Sequence, residues 1–253
     1  MNERVECFVL NHTDYKDNSI LVNVLTKEYG KLSFVVAGAK KITSKNANGI
    51  LLYTKSEFLF DYKEGKTIFR LKNAKTINYY RRNHEVMEYI AASTLISEAS
   101  DHLLLQDCDL ELQQAIYDLL QEAYQYLDDG QNAKIIVSIF ITKLLQLFGS
   151  GIEVDGCVLC GNTKVSSFSI IEGGFLCADC ANKNHISFIS IDVLKAIRYI
   201  NKAKLNQFEI VENNIDEKDI PLDLFVSFYE MHIGSKLKSF SFYKRLLPLN
   251  EHA

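Results

Sequence analysis

Two Cys-x-x-Cys pairs separated by sixteen residues constrain this chain more tightly than any other feature of its sequence. They are Cys157-Val158-Leu159-Cys160 and Cys177-Ala178-Asp179-Cys180. Two residues between thiolates let one tight turn aim both sulfurs at a single ion. The intervening stretch, folded as a hairpin, brings the second pair opposite and completes a tetrahedron. Gly161 after the first pair and Gly173-Gly174 before the second supply the turns. The spacing therefore predicts a zinc ribbon over residues 153–184. Four thiolates leave no open coordination position, so the zinc is expected to be structural. It would supply folding energy that so loop-rich a segment lacks in apolar side chains. A single Cys-x-x-Cys reads as a redox pair, but redox chemistry does not call for a second copy at this spacing. Cys7 and Cys108 stand alone.

The chain before the ribbon changes character near position 80. Residues 5–10, 20–26 and 32–37 are short runs of β-branched and apolar residues separated by turn-forming stretches at 11–18 and 28–31. A longer run at 50–62 and another at 67–72 bring the count to five strands with no helical period among them. Five short strands suit a small closed barrel, which removes the two exposed edges of an open sheet, and the OB-fold is the commonest of this kind. Beyond Arg81-Arg82 the period changes. From His84, Met87, Ile90, Ala91, Leu95 and Ala99 recur at helical spacing. Leu112, Ile116, Leu119, Leu120, Ala123 and Leu127 line a second helix, with Asp107 or Asp109 as its cap and Gly130 as its end. A third, over 133–148, is apolar on most sides and is expected to be central and buried. After the ribbon, Ser190 caps a short helix bearing Ile191, Leu194, Ile197 and Ile200, and Pro221 opens a last helix through Phe228 to Ile233. The expected fold is α+β and multidomain. An N-terminal five-stranded OB-fold β-barrel occupies 1–80. A C-terminal helical domain occupies 81–253 and carries the inserted four-cysteine zinc ribbon. The longest apolar stretch, 135–148, is broken by Ser138, Thr142, Lys143 and Gln146, so no membrane span is expected, and with no apolar signal core the chain reads as cytoplasmic.

Charge is distributed unevenly. Residues 1–82 hold fifteen Lys and Arg against eight Asp and Glu, whereas the remainder holds thirteen against twenty-four. A basic barrel joined to an acidic remainder suggests a polyanion-binding face on the barrel alone. Its densest cluster is Lys40-Lys41 with Lys45, flanked by Gly38 and Asn46-Ala47-Asn48-Gly49. Lys31, Lys63, Lys66, Arg70, Lys72, Lys75, Arg81 and Arg82 belong to the same segment. Lys31, Lys40, Lys41, Lys45, Arg70, Lys72, Arg81 and Arg82 are the expected phosphate contacts. Of the interleaved aromatics most are expected in the core, with Tyr53 and Tyr62 as candidate platforms for bases. No phosphate-cradling glycine loop, Ser/His/Asp arrangement or His-Glu-x-x-His helix occurs, and the six histidines are scattered. A zinc deaminase would need a His-x-Glu beside a Pro-Cys-x-x-Cys, and neither is present. No catalytic residue is expected.

Three stretches resemble the RecO family of bacterial recombination mediators. The first is Gly30-Lys31-Leu32-Ser33 leading to Val36-Ala37-Gly38-Ala39-Lys40-Lys41 and Ser44-Lys45, similar to that family's basic barrel loop. The second is Asp155-Gly156-Cys157 through Gly161 with Glu172-Gly173-Gly174-Phe175-Leu176-Cys177 through Ala181, similar to the ribbon of its metal-bearing members. The third is His232-Ile233-Gly234-Ser235-Lys236-Leu237-Lys238-Ser239. The entry to the fourth strand departs from the family's Leu-Gln-Pro-like pattern, reading Leu51-Leu52-Tyr53-Thr54. The resemblance implies a DNA repair and recombination protein, nucleoid-associated, that binds single- and double-stranded DNA and anneals complementary strands. It implies partnership with RecR, with the acidic tail of single-stranded DNA-binding protein and, indirectly, with RecA. Lys236, Lys238, Lys244 and Arg245 are the candidate partners of that tail's carboxylates. The alternative is an adaptor built of the same barrel and ribbon whose ligand is another protein, and salt dependence of DNA binding distinguishes the two.

Overall fold

The computed structural model describes residues 2–16, 18–41, 44–104 and 108–250, the last four as backbone. The chain forms two compact units, 1–129 and 130–253.

In the first unit the strands are β1 (Asn2–Tyr15), β2 (Ser19–Thr26), β3 (Gly30–Ala37), β4 (Lys55–Asp61) and β5 (Ile68–Asn78). They close into a barrel in the order β1-β2-β3-β5-β4, antiparallel throughout except for the β3–β5 pair. This is the five-stranded OB-type barrel expected from the strand pattern. Alternate residues fill its interior: Val5, Cys7 and Val9 from β1, Val22 and Val24 from β2, Phe34 from β3, Phe58 and Phe60 from β4. Two strands run longer than their apolar runs. Polar residues 12–15 of β1 pair in register with 19–22 of β2, so cross-strand hydrogen bonds carry the hairpin past the last buried position.

Three helices follow in the same unit: α1 (Arg82–Glu85), α2 (Met87–Leu103) and α3 (Leu110–Asp128). Asp109 caps α3, its carboxylate accepting from the Leu112 N–H at 2.8 Å. The other expected cap, Asp107, lies outside the described residues. The outward face of β1 is buried at Phe8 and Leu10, whereas Arg4 and Glu6 on the same face are exposed. Phe8 is fully buried, with its ring 4.8 Å from Tyr117 and 5.7 Å from Tyr124 of α3. A chain of polar contacts joins the barrel wall to α2. Ser33 donates to Asn23, Asn23 to Asn11, and Asn11 to the Asp101 carboxylate, which also pairs with Lys31 at 2.6 Å. Helix-covered β1 has β2 and β4 as its neighbours, so the β3–β5 pair lies across the barrel from it.

The second unit is built on α4 (Ala133–Leu147), whose residues are buried on most sides, as expected of a central helix. Asn132 caps it by accepting from the Ile135 N–H. The hairpin of β6 (Val165–Ser169) and β7 (Gly174–Cys177) leads into α5 (Ala178–Lys183), and α6 (Ile191–Lys202) starts at the expected Ser190 cap. Then come α7 (Phe208–Asn214), α8 (Leu222–Ile233) and α9 (Phe240–Asn250). The helix after Pro221 is therefore not the last. Its end is set by Gly234 at φ +77°, and α9 follows. Among the described residues no helix is long and apolar enough to cross a membrane.

Candidate metal centre and nucleic-acid interface

The four-cysteine cluster is assembled from short-range pieces. The first pair lies in a turn closed by the Cys157 N–H donating to Asn162 and the Gly161 N–H donating to Cys157. The Val158 N–H donates to the Phe175 carbonyl at 2.9 Å and fixes that turn against β7. Cys177 ends β7 and starts α5, which places Cys180 one helical turn on. Glu153 pairs with Gly174 from the other side. A Cβ on Gly174 would meet the Glu153 carbonyl oxygen at 2.3 Å, so only glycine allows this approach.

All four Sγ atoms lie within 4.8 Å of one another, and Cys160 and Cys177 approach to 3.6 Å. Four thiolates around a zinc at ~2.3 Å form a tetrahedron with edges of about 3.8 Å, so the donor set fits a tetrahedral metal. Acidity agrees with that chemistry. Burial opposes ionisation of Cys157, but the backbone N–H groups of Cys177, Leu159 and Cys160 outweigh it and bring its thiol to about 6. Hydrogen bonding with the thiols of Cys160 and Cys177 pushes Cys180 up to about 12. Cys157 thus ionises readily while Cys160 and Cys180 resist, and a cation at the centre would favour thiolates at these positions.

The basic residues of the barrel divide into three groups. Arg70, Lys72 and Lys75 are exposed along β5, and a register shift in the β4–β5 pairing keeps Lys75 outward. The loop before β4 is laid against that strand. The Asn46 side chain accepts from the Ala74 N–H, and the Thr76 hydroxyl donates to the Asn48 carbonyl. A Cβ on Gly49 would meet the Ala74 backbone carbon at 2.6 Å, which is why the loop can lie so close. Exposed Lys45 is thereby carried beside β5, and Lys40 and Lys41 are exposed at the loop's start, with Lys40 paired to Asp14. At the opposite end of β5, the turn into the strand bears exposed Lys63 and Lys66. Among the described residues Lys41, Lys45, Lys63, Lys66, Arg70 and Lys75 have no ion-pair partner, whereas Lys72 pairs with Asp61 at 2.7 Å.

Other expected contacts lie apart from this face. The Lys31 ammonium and the Asp101 carboxylate are each only 16% exposed and are committed to one another. Arg81 pairs with Glu85 at 2.7 Å, and the Arg82 N–H donates to Asp128. Tyr53 is no platform for bases. It is 8% exposed, at φ +60°, and its hydroxyl bonds to Thr94 of α2 at 2.8 Å. The departure at Leu51-Leu52-Tyr53-Thr54 thus serves packing between barrel and helices. Tyr62 is half-buried between Tyr29 and Phe69. In the second unit Lys236 and Lys238 are exposed in the stretch after α8. Lys244 is paired to Asp223 and lies over the Phe240 ring, and Arg245 donates to the Ser241 carbonyl.

Comparison with known proteins matches both halves of the chain. Residues 1–80 match the family model described as Recombination protein O N terminal, and 88–240 match Recombination protein O C terminal. The chain is 27% identical to the DNA repair protein RecO of Halalkalibacterium halodurans over 254 residues, covering 100% of this chain and 98% of that protein. The protein of the same name from Bacillus cytotoxicus is 27% identical, with 97% and 98% covered. That of Mesoplasma florum is 26% identical, with 91% and 86% covered.

Proposed function

The chain belongs to the recombination protein O family, and from that premise we propose that it is a non-catalytic mediator of DNA repair and homologous recombination. It binds single- and double-stranded DNA through the barrel and brings complementary strands together by neutralising their phosphates. With RecR it helps RecA load on strands coated by single-stranded DNA-binding protein. Lys236 and Lys238 are the candidate contacts for that protein's acidic tail. The four cysteines hold a structural zinc, which fixes the ribbon and takes no part in a reaction.

The observation that carries this reading is the row of exposed cations on β5, flanked by Lys45 on the loop laid beside it and across the barrel from the helix-covered strand. Outward positions two residues apart on a strand are about 6.8 Å apart. Such a row can follow a nucleic-acid backbone without reading its sequence.

The test is binding of a single-stranded oligonucleotide by the full chain across a salt titration. Replacing Lys41, Lys45, Arg70 and Lys75 with alanine is expected to weaken binding and slow annealing of complementary strands. It should also reduce the log–log salt slope by about 0.7 for each phosphate left without its cation. Unchanged affinity and slope would overturn the role of this face. DNA affinity that ignores salt altogether, or is absent, would instead favour an adaptor for another protein.

A further inference from the structure

The four sulfurs of the ribbon are close together but unequally sheltered. Cys157 and Cys177 are buried, and Cys180 is half-buried on α5. Cys160 alone of the four is exposed. It lies in a run of exposed residues, 158–164, that passes through Gly161 at φ +75°. A Cβ on Gly161 would meet nothing within 4 Å, so no neighbour crowds the turn there. The Cys160 thiol nonetheless lies within hydrogen-bonding reach of the other three, with the Cys177 sulfur at 3.6 Å. Cys177 is held differently. It ends β7, in which every residue is buried, and pairs with Val165 of β6. One sulfur thus stands open to solvent on an uncrowded turn, and a second lies beside it on a packed strand.

We infer that Cys160 and Cys177 make the ribbon a redox-sensitive switch, in which hydrogen peroxide converts the pair to a disulfide and the metal is released. The inference rests on the structural-zinc reading. Thiolates are the reactive form of cysteine, and susceptibility to oxidation follows exposure, which selects Cys160. Its sulfur attacks one peroxide oxygen. An S–O bond forms, the O–O bond breaks and hydroxide leaves, giving a sulfenic acid. The Cys177 thiolate then attacks that sulfur. The S–S bond forms, the S–O bond breaks and a second hydroxide leaves. Each hydroxide takes a solvent proton and becomes water. The two sulfurs lose two electrons between them, and the peroxide gains them. The sulfurs must close from 3.6 Å to about 2.05 Å, a movement that the exposed turn can supply while β7 stays in place. A resolving thiolate this near diverts the sulfenic acid from irreversible oxidation. The bridge leaves only Cys157 and Cys180 as ligands, and a structural zinc site needs four. A dithiol reductant reverses the change by exchange at the bridge.

The experiment treats the full chain, purified with zinc under reducing conditions and then freed of reductant, with hydrogen peroxide. Two quantities are followed: zinc captured by a chromogenic chelator, and disulfides mapped by mass spectrometry of the peptides. Zinc is expected to leave the chain in step with a Cys160–Cys177 link, and dithiothreitol with added zinc should restore both thiols and metal. Cys7, fully buried in the barrel, should stay a free thiol throughout. Cys160→His places a zinc ligand without a thiol at the exposed position. It should keep the metal and slow its peroxide-driven release about tenfold. The peptide map of the unmodified chain decides the matter even where that variant fails to fold. Zinc released without a Cys160–Cys177 link, or zinc retained while Cys108 oxidises, would overturn the switch. A chain that folds and carries no zinc after this purification would instead remove the structural-zinc reading, and the switch with it.

Discussion

A side chain's charge says what it can attract, and only its surroundings say whether it is free to do so. Lys31 stands in the stretch that most resembles the family's basic loop, yet its ammonium is bonded to Asp101, seventy residues away in sequence. Nothing local to Lys31 reports that partner. Lys45 and Arg70, by contrast, are exposed and have no ion-pair partner among the described residues. Tyr53 misleads for the same reason as Lys31, since its cover comes from α2. His12 shows what such an environment does to titration. Burial holds its imidazole below the usual 6.5, and its 2.5 Å bond to the Ile50 carbonyl offsets this only in part. The folded chain therefore prefers the neutral ring, and as pH falls the unfolded chain takes up the proton first. The stabilisation is complete above pH 6.5 and is lost as pH falls through the lowered folded value. Urea unfolding at pH 7.5 and pH 5 should show a smaller loss of stability for His12→Gln than for the unmodified chain. An equal loss in both would exclude His12 as the source.

At the scale of elements, legibility follows the strength of the local pattern. The apolar runs place β2, β3 and α4 closely, whereas β1 and β5 continue past the ends of theirs and β4 begins later than its run. The ribbon is legible because four ligands at fixed spacing leave one arrangement. α7 gives no such signal, because only Phe208 and Val211 of its seven residues are buried, too few to set a period. α9 lies beyond the Gly234 stop and carries Pro248, which in sequence reads as an end. The ribbon also depends on a contact that its spacing alone does not reveal, the approach of Glu153 to Gly174. Gly174→Ala should push Glu153 away from β7, cost about 1–3 kcal/mol as overpacking does, and lower the metal retained per chain. Gly173→Ala is the comparison. A Cβ there meets nothing within 4 Å, and only its φ of +90° is strained. Equal metal retention in Gly174→Ala and the unmodified protein would show that the ribbon tolerates a shift of Glu153.

Across the whole molecule, the acidic surplus is more localised than a split at residue 82 suggests. Residues 83–129 contain eleven Asp and Glu and no Lys or Arg, whereas 130–253 contain thirteen of each sign. The counterweight to the basic barrel is thus its own helices, within one compact unit, and the second unit is neutral. In the proposed reading a polyanion would be drawn to the exposed cations of β5 and repelled by the acids of α1–α3, an orientation that needs no sequence-specific contact. The same division governs stability. Both units contain buried apolar residues, and the cysteine cluster lies in the second. Metal binding that is linked to folding stabilises the unit that binds and no other. Removing the metal with a chelator under reducing conditions should therefore lower the melting transition of the second unit. The transition of the barrel unit should stay in place, and so should the salt-dependent affinity for single-stranded DNA. Calorimetry of the metal-bound and chelated chain reads the first outcome, and oligonucleotide titration reads the second. If chelation lowered both transitions together and abolished DNA binding, the ribbon would be supporting the barrel, and the two units would have to be treated as one cooperative structure.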